Sequence, residues 1–306
     1  MRQKTLKKEI KCTGIGLHKG EKVHLTLKPA PEDHGIVFWI KQYHQTFVLK
    51  LTPSAVTETT LATSIAKDNV QLATVEHLLA AIQGLEIDNL IIEVEGDEVP
   101  IMDGSATSFV FLMRSVGIKK QSAPKKVLAL KKEVNFKDGK KRILARPYPG
   151  LKIKYHIEFP HPLIGKQTFV YENSPENFIK QLAKARTFGF LKQVELLHQL
   201  GKAKGGSLDN AIVLDEYGVI NAEGLRFKDE FVRHKILDFL GDILLIGLPL
   251  QGYFEVYCSG HKFNNEFIRF LNSNRDLYLE EKVLQDLIPV PTKQEKWLKA
   301  KEPALA

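Results

Sequence analysis

Cysteine is almost missing from this chain. Cys12 and Cys258 are the only two in 306 residues, and no Cys-x-x-Cys pair occurs. That excludes a disulfide framework and a cysteine-rich metal site, and a reducing cytoplasm fits such a chain. Long apolar runs are missing as well. The most apolar stretch, residues 243–250, falls far short of the ~20 residues that a helix needs to span a bilayer. The basic start Met1-Arg2-Gln3-Lys4-Thr5-Leu6-Lys7-Lys8 is followed by no apolar core of the kind a signal peptide carries. The lysines and arginines have no aromatic residues interleaved among them, which argues against a nucleic-acid binder in spite of the formal charge of +8. These absences point to a soluble protein.

What is present is an ordinary globular composition, 43% hydrophobic and 26% charged, in a chain long enough for about two domains. The positive excess predicts an anionic partner, phosphorylated small molecules included. The most informative stretch is Arg233-His234-Lys235-Ile236-Leu237-Asp238, continued by Phe239-Leu240-Gly241-Asp242-Ile243. It is too apolar for a surface helix, yet His234, Asp238 and Asp242 recur at i, i+4, i+8 and form one stripe. Buried carboxylates persist only when paired, hydrogen-bonded or metal-bound. The stripe therefore reads either as a divalent-metal site such as zinc or as charges pointing into a wet cleft.

Taken in order, residues 22–28 alternate as a half-buried strand. Pro29-Ala30-Pro31-Glu32-Asp33-His34-Gly35 breaks it, and a second strand covers 36–40. The same sequence of elements returns about 120 residues on, with strands at 142–145 and 151–159 around Pro147-Tyr148-Pro149-Gly150. This predicts two domains built from a duplicated unit. Between the copies, Thr74 is expected to cap a helix that ends near Gly84, which puts Glu76 and His77 in its first turn. There Glu76 has a plain reading as an acid favoured by the helix dipole, and His77 as a surface histidine. A strand is expected at 89–95, a helix at 106–116 with Asp103 and Ser105 as turn and cap chemistry, a polar linker at 121–126, and a helix at 175–185. Leu191, Val194, Leu197 and Leu200 form an i, i+3 apolar face ahead of a loose basic loop, Gly201-Lys202-Ala203-Lys204-Gly205-Gly206-Ser207. This is either a helix packed on the core or an insertion over a site. Strands at 211–214 and 253–258 flank the central helix, the second closing at Ser259-Gly260-His261.

Seven motifs in order, Val75-Glu76-His77-Leu78, Val99-Pro100-Ile101-Met102-Asp103-Gly104-Ser105, Ala185-Arg186-Thr187-Phe188, Gly205-Gly206-Ser207, Gly224-Leu225-Arg226, Arg233-His234-Lys235 and Ser259-Gly260-His261, resemble the UDP-3-O-acyl-N-acetylglucosamine deacetylases of lipid A biosynthesis. The early Gly14-Ile15-Gly16-Leu17-His18-Lys19-Gly20 is similar to that family too. The resemblance runs from about Lys4 to Leu271. It implies an α+β fold of two α/β sandwich domains of like topology with the active site in the cleft between them. It implies one catalytic zinc ion per chain, with iron(II) as the alternative, on His77, His234 and Asp238. Glu76 would be the general base and His261 the general acid, with Asp242 orienting and charging it. Thr187 would polarise the amide oxygen, Lys235 would meet substrate, and Phe188 would pack on the sugar.

The implied reaction removes the N-acetyl group of UDP-3-O-(3-hydroxyacyl)-N-acetylglucosamine, giving acetate and the free amine, in the cytoplasm of a Gram-negative cell. The other reading kept is a zinc amidohydrolase acting on a different N-acyl substrate. The expected division is 1–121 and 126–274, with an insertion at about 190–219 whose Leu191, Val194, Leu197 and Leu200 would line a passage for the acyl chain. A tail follows at 275–306. Its small apolar end, Pro303-Ala304-Leu305-Ala306, is read either as a disordered end or as a handle for a regulatory protease.

Overall fold

The computed structural model describes residues 1–284. Its architecture is α+β and is set by two sheets of the same topology. The first runs Ile10–Ile15, Lys22–Pro29, Leu90–Glu95, Ile36–Gln42, Gln45–Lys50. Ile36–Gln42 lies parallel to Leu90–Glu95, with Phe38 opposite Ile92, and Lys22–Pro29 lies antiparallel on the other side, with Leu25 opposite Val94. A parallel neighbour demands a long crossover, and this one contains the helix Glu76–Gly84. The second sheet repeats the plan with Val134–Asp138, Lys141–Arg146, Leu250–Tyr257, Leu151–Glu158 and Lys166–Glu172. Ile153 faces Phe254 across the parallel pair, Ala145 faces Phe254 across the antiparallel one, and the crossover contains Glu230–Leu244. In each half a second helix follows the central strand: Thr107–Val116 in the first and His261–Ser273 in the second. The duplication expected from the strand pattern is thus present strand for strand.

The two crossover helices pack against each other at the middle of the molecule. All nine residues of Glu76–Gly84 are buried, as are Phe231, Ile236, Leu237, Phe239 and Leu240 of the longer helix. Their approach is close because Gly241 has no side chain. A Cβ there would stand 2.1 Å from the carbonyl oxygen of Glu76, well inside van der Waals contact. Gly241 therefore lets Glu76 and His77 meet the stripe of the other helix.

Four expectations are corrected. Thr74 is not a helix cap: it sits at a φ of 59°, and its hydroxyl donates to buried Glu98 at 2.7 Å. The helix starts after Val75 without a side-chain cap. A buried carboxylate is the stronger acceptor, and it draws the hydroxyl away from the helix end. The polar segment 121–126 is no linker but the middle of a 13-residue strand, Ile118–Leu130. Its first part pairs with Arg2–Leu6 and its last part with Leu279–Leu284, while Leu128 and Ala129 lie parallel to Leu250 and Gln251. Its alternating exposed face supplied the polarity that was read as a linker. The expected helix 175–185 shrinks to the turn Pro175–Asn177 and a π-helical turn Phe178–Leu182. Residues 275–284 are a short helix, Arg275–Tyr278, and the strand Leu279–Leu284, so the start of the expected tail is helix and then a strand of the second sheet. The protease handle at 303–306 lies outside the described residues.

Candidate active site

At the crossing of the two central helices the structure brings together His77, His234 and Asp238. All three are buried, with one ligand atom of each within 4.8 Å of the others. His234 sits inside the long helix, and its Nδ1 lies 3.1 Å from the carbonyl oxygen of Ala185. A carbonyl can only accept, so Nδ1 carries the proton and Nε2 presents a lone pair. That lone pair faces Asp238 Oδ1 at 3.2 Å, and His77 Nε2 is 3.6 Å from the same oxygen. Asp238 Oδ1 and His77 Nδ1 are buried with no hydrogen-bond partner among the described residues. Two lone pairs held this close in a buried place repel unless a cation stands near them, so the donor set fits a divalent metal. Two histidines and a carboxylate are three ligands, which leaves a position open for chemistry.

The electrostatics agree. Burial drives the His234 imidazole down to about 3, so it stays neutral as a ligand must. Burial also opposes an ionised Asp238, but Lys235, with Nζ 2.6 Å from Oδ2, holds its carboxylate well below the usual range. Lys235 in turn is raised above its ordinary value, because Asp238 outweighs the burial that would lower it.

Beside this cluster lie a buried carboxyl, Glu76, and an imidazole, His261. Burial pushes the Glu76 carboxyl up, with His261 and His77 partly offsetting it, and its Oε2 accepts the Thr63 N–H at 3.1 Å. His261 is the first residue of its helix. Its Nδ1 lies 2.9 Å from Asp242 Oδ2, and its Nε2 is 4.0 Å from Glu76 Oε1 and 3.9 Å from Asp238 Oδ2. Burial works against the imidazolium, yet Asp242 overrides it and raises His261 to about 9. Asp242 is itself gripped by Thr63 Oγ1 at 2.6 Å and by Asn264 Nδ2 at 2.8 Å. Thr63 and Asn264 were not singled out from the sequence. Asn264 had a signal, being a polar residue three on from His261 and turned to the buried face. Thr63 had none, lying in a stretch without periodicity.

A cleft of about 570 Å³ opens over these groups and is also lined by Thr187, Phe188, Lys235 and Lys141. Phe188 meets Phe231 edge-on, with ring centroids 5.0 Å apart, and lies 6.2 Å from the His234 ring. Thr187 is pinned by its backbone, its N–H donating to Gly104 O and its carbonyl accepting from Ile212 N, both at 2.8 Å. The stretch read as an insertion, about 190–219, holds the helix Leu191–Gln199 and the strand Ile212–Leu214, which pairs with Phe188–Phe190. Its glycine loop is tied to the first half by Gly205 N to Leu17 O at 3.0 Å, and a Cβ on Gly205 would meet Gly16 O at 2.2 Å. That contact accounts for glycine at 205, while at Gly16 a Cβ would meet Glu98 Oε2 at 2.5 Å.

No side chain of Leu191–Gln199 is fully buried. Leu191 reaches a neighbouring apolar pocket of about 760 Å³, which shares Phe159, Phe190 and Gln193 with the cleft. Val194, Leu197 and Leu200 line neither cavity, and Leu200 is 65% exposed. Among the described residues no helix is long and apolar enough to cross a membrane.

A buried His-His-Asp set with an open side, a carboxylate and a charged histidine above it, and a deep cleft between two copies of one α/β unit define a metal-dependent hydrolase. The model of the UDP-3-O-acyl N-acetylglycosamine deacetylase family matches residues 3–273. The chain belongs to that family. It is 56% identical to the UDP-3-O-acyl-N-acetylglucosamine deacetylase of Oleidesulfovibrio alaskensis over 94% of each chain. To the protein of that name from Nitratidesulfovibrio vulgaris it is 55% identical over 92% of this chain and 91% of the other. With the one from Pseudomonas entomophila it shares 48% over 91% and 92%.

Proposed function

We infer that this protein hydrolyses the N-acetyl group of UDP-3-O-(3-hydroxyacyl)-N-acetylglucosamine, releasing acetate and a free amine, the committed step toward lipid A. The observation that carries the reading is the facing pair of His234 Nε2 and Asp238 Oδ1, 3.2 Å apart, beneath a proton donor and acceptor 4.0 Å from each other. His77, His234 and Asp238 would hold zinc(II), or iron(II) in its place. The ion supplies Lewis acidity toward the amide carbonyl and toward the attacking water.

The chain's own groups do the rest. Glu76, ionised, takes the proton of the attacking water at Oε1. His261, charged because of Asp242, donates from Nε2 to the amide nitrogen as the C–N bond breaks, since an amine leaves poorly without a proton. Asp242 keeps the second ring nitrogen protonated and so fixes which nitrogen faces substrate. Thr187 donates its hydroxyl to the oxygen where negative charge develops, a contact worth most when that charge is fully formed. Lys235 and Lys141 offer positive charge to the substrate's polar groups, and the excess of lysine suits a diphosphate. Phe188 stacks on the sugar. The apolar pocket along Phe159, Phe190, Leu191 and Leu214 gives an acyl chain its room. The two copies of the duplicated unit, 1–121 and 126–274, act as domains that meet on the reacting bond. The protein works in the cytoplasm.

The test offers purified, metal-loaded protein the UDP-linked substrate and measures acetate. Acetate release at a rate lost on chelation and restored by zinc is expected. No release from that substrate, with release from another N-acylated amine, would overturn the substrate and keep the chemistry.

A further inference from the structure

The groups that hold Thr187 in place come from three parts of the fold, and none of them touches the reacting atoms. The loop Asp103-Gly104-Ser105 belongs to the first half, and Gly104 gives its carbonyl to the Thr187 N–H. Gly104 has a φ of 74°, and a Cβ there would lie 1.9 Å from Asn210 O, so the loop is wedged between Thr187 and the insertion. Arg226 ties that loop to the second half. Its Nη1 lies 2.8 Å from Asp103 Oδ2, 3.1 Å from Lys184 O and 3.5 Å from Ser105 Oγ. The Arg226 N–H donates to Glu230 Oε2 at 2.5 Å. Glu230, 0% exposed, spends its other oxygen on the N–H and Nε of Arg186, both at 3.0 Å. Arg186 precedes Thr187, and Glu230 opens the helix that carries His234 and Asp238. One connected network thus links the Thr187 backbone, a loop of the other half and the start of the metal-bearing helix.

We propose that Arg226, through Asp103, is a positioning residue for the hydrolysis: it clamps the first half's loop against Thr187 and so sets where that hydroxyl stands over the cleft. The proposal rests on the reading of Thr187 as the group that receives the developing negative charge. The two clamping side chains are partly open to solvent, Arg226 at 33% and Asp103 at 27%. A pair in that setting adds little to folding stability, so its removal leaves a folded protein with a displaced hydroxyl. Arg186 and Glu230 differ, because breaking a fully buried pair strands a charge and endangers the fold.

The experiment uses the full-length, metal-loaded protein and compares Arg226→Ala, Asp103→Asn and Thr187→Ala, the double variant Arg226→Ala/Thr187→Ala, and the charge swap Asp103→Arg/Arg226→Asp. Thr187→Ala is expected to lower kcat, and Arg226→Ala and Asp103→Asn to lower it by roughly ten- to a hundredfold, as small misplacements do. KM should change by no more than about twofold, because the lost contact forms only in the transition state. Metal content and Tm should stay near wild type. The double variant should be no slower than Thr187→Ala alone, and the charge swap should regain part of kcat. If Thr187→Ala leaves kcat unchanged, the reading of Thr187 fails and the proposal with it. If Thr187→Ala is slow while Arg226→Ala and Asp103→Asn are not, or if the losses in the double variant multiply, the clamp is merely structural and the proposal alone is overturned.

Discussion

The two halves share strand order, crossover and helix placement, yet they divide the chemistry unequally. The crossover helix of the first half contributes Glu76 and His77 from its first turn, at the edge of the helix. That of the second contributes His234, Asp238 and Asp242 from its middle, where side chains are buried most deeply. The helix after the central strand starts with His261 in the second half. At the matching place in the first half it is preceded by Asp103-Gly104-Ser105, which bind backbone and an arginine and no reacting group. A duplicated scaffold therefore supplied two equivalent positions at one cleft, and each was put to a different use. Fold and function separate here, since the same packing supports opposite tasks on the two sides.

The sharpest way to break the comparison is to remove one contribution from each half. His234→Ala should abolish metal binding and nearly all acetate release. Glu76→Ala should keep the metal and lose about 10²–10⁴-fold in kcat, the usual worth of a general base. Metal analysis beside initial rates separates the two. If Glu76→Ala loses the metal as completely as His234→Ala does, the halves do not divide binding from proton transfer in the way described.

The next test acts on the crossing itself. Gly241→Ala places a methyl where only 2.1 Å separates it from the Glu76 carbonyl. The two helices must then part, at a cost of about 1–3 kcal/mol in stability, and Glu76 and His77 must move away from Asp238. Lower Tm together with weaker metal binding is expected. A variant with wild-type metal affinity would show that the second half holds the ion without help from the first.

Much of this was legible in sequence, for reasons that can be named. The stripe His234, Asp238, Asp242 stands out because ionisable groups at helical spacing break an otherwise apolar run, which leaves a metal site or a wet cleft as its readings. The duplicated strands were legible because Pro and Gly breaks recur at the same places in both copies. Thr63 was not legible, since its role depends on a contact 179 residues distant. The strand Ile118–Leu130 was misread because one face is solvated along half its length, which looks like a linker when the partner strands are unknown. Thr74 was misread because a threonine before an apolar helix is most often a cap, and nothing local reveals the buried Glu98 that takes its hydroxyl. The leucines of the insertion carried the right period, but periodicity does not say which face meets a cavity.

A milder perturbation addresses the proton-transfer pair, to which both halves contribute. With Glu76 raised by burial and His261 at about 9, the rate should fall in acid as Glu76 becomes protonated and fall again above about 9 as His261 loses its proton. The apparent values belong to the pair, since the groups are only 4.0 Å apart. Asp242→Asn removes the main charge that raises His261, so the basic limb should move down toward the ordinary imidazole range near 6.5. The linkage to folding has the same sign. A group raised in the folded state stabilises fully below its unfolded value of about 6.5 and loses that contribution as pH rises through about 9. The stability gap between wild type and Asp242→Asn should therefore be widest in acid and narrow above 9. An unmoved basic limb would assign it to another group.

The smallest effect concerns the helix Leu191–Gln199 of the second half. Leu191 faces the apolar pocket beside the cleft, whereas Leu197 lines neither cavity. If the acyl chain takes that pocket, a charge at Leu191 should cost it the burial of one or two methylenes at about 0.8 kcal/mol each, or roughly tenfold in kcat/KM. A substrate with only an acetyl group in place of the long chain reaches no pocket and should be nearly indifferent to the change. Leu197→Asp should alter neither substrate by more than about twofold, because a half-buried residue clear of the cavities has little contact to lose. The four rates, two substrates on each variant, decide the matter through their ratios, which cancel any general loss of folded protein. A long-chain penalty at Leu197 and none at Leu191 would put the chain along the other edge of the apolar face, beyond Val194, and away from the pocket that Leu191 lines.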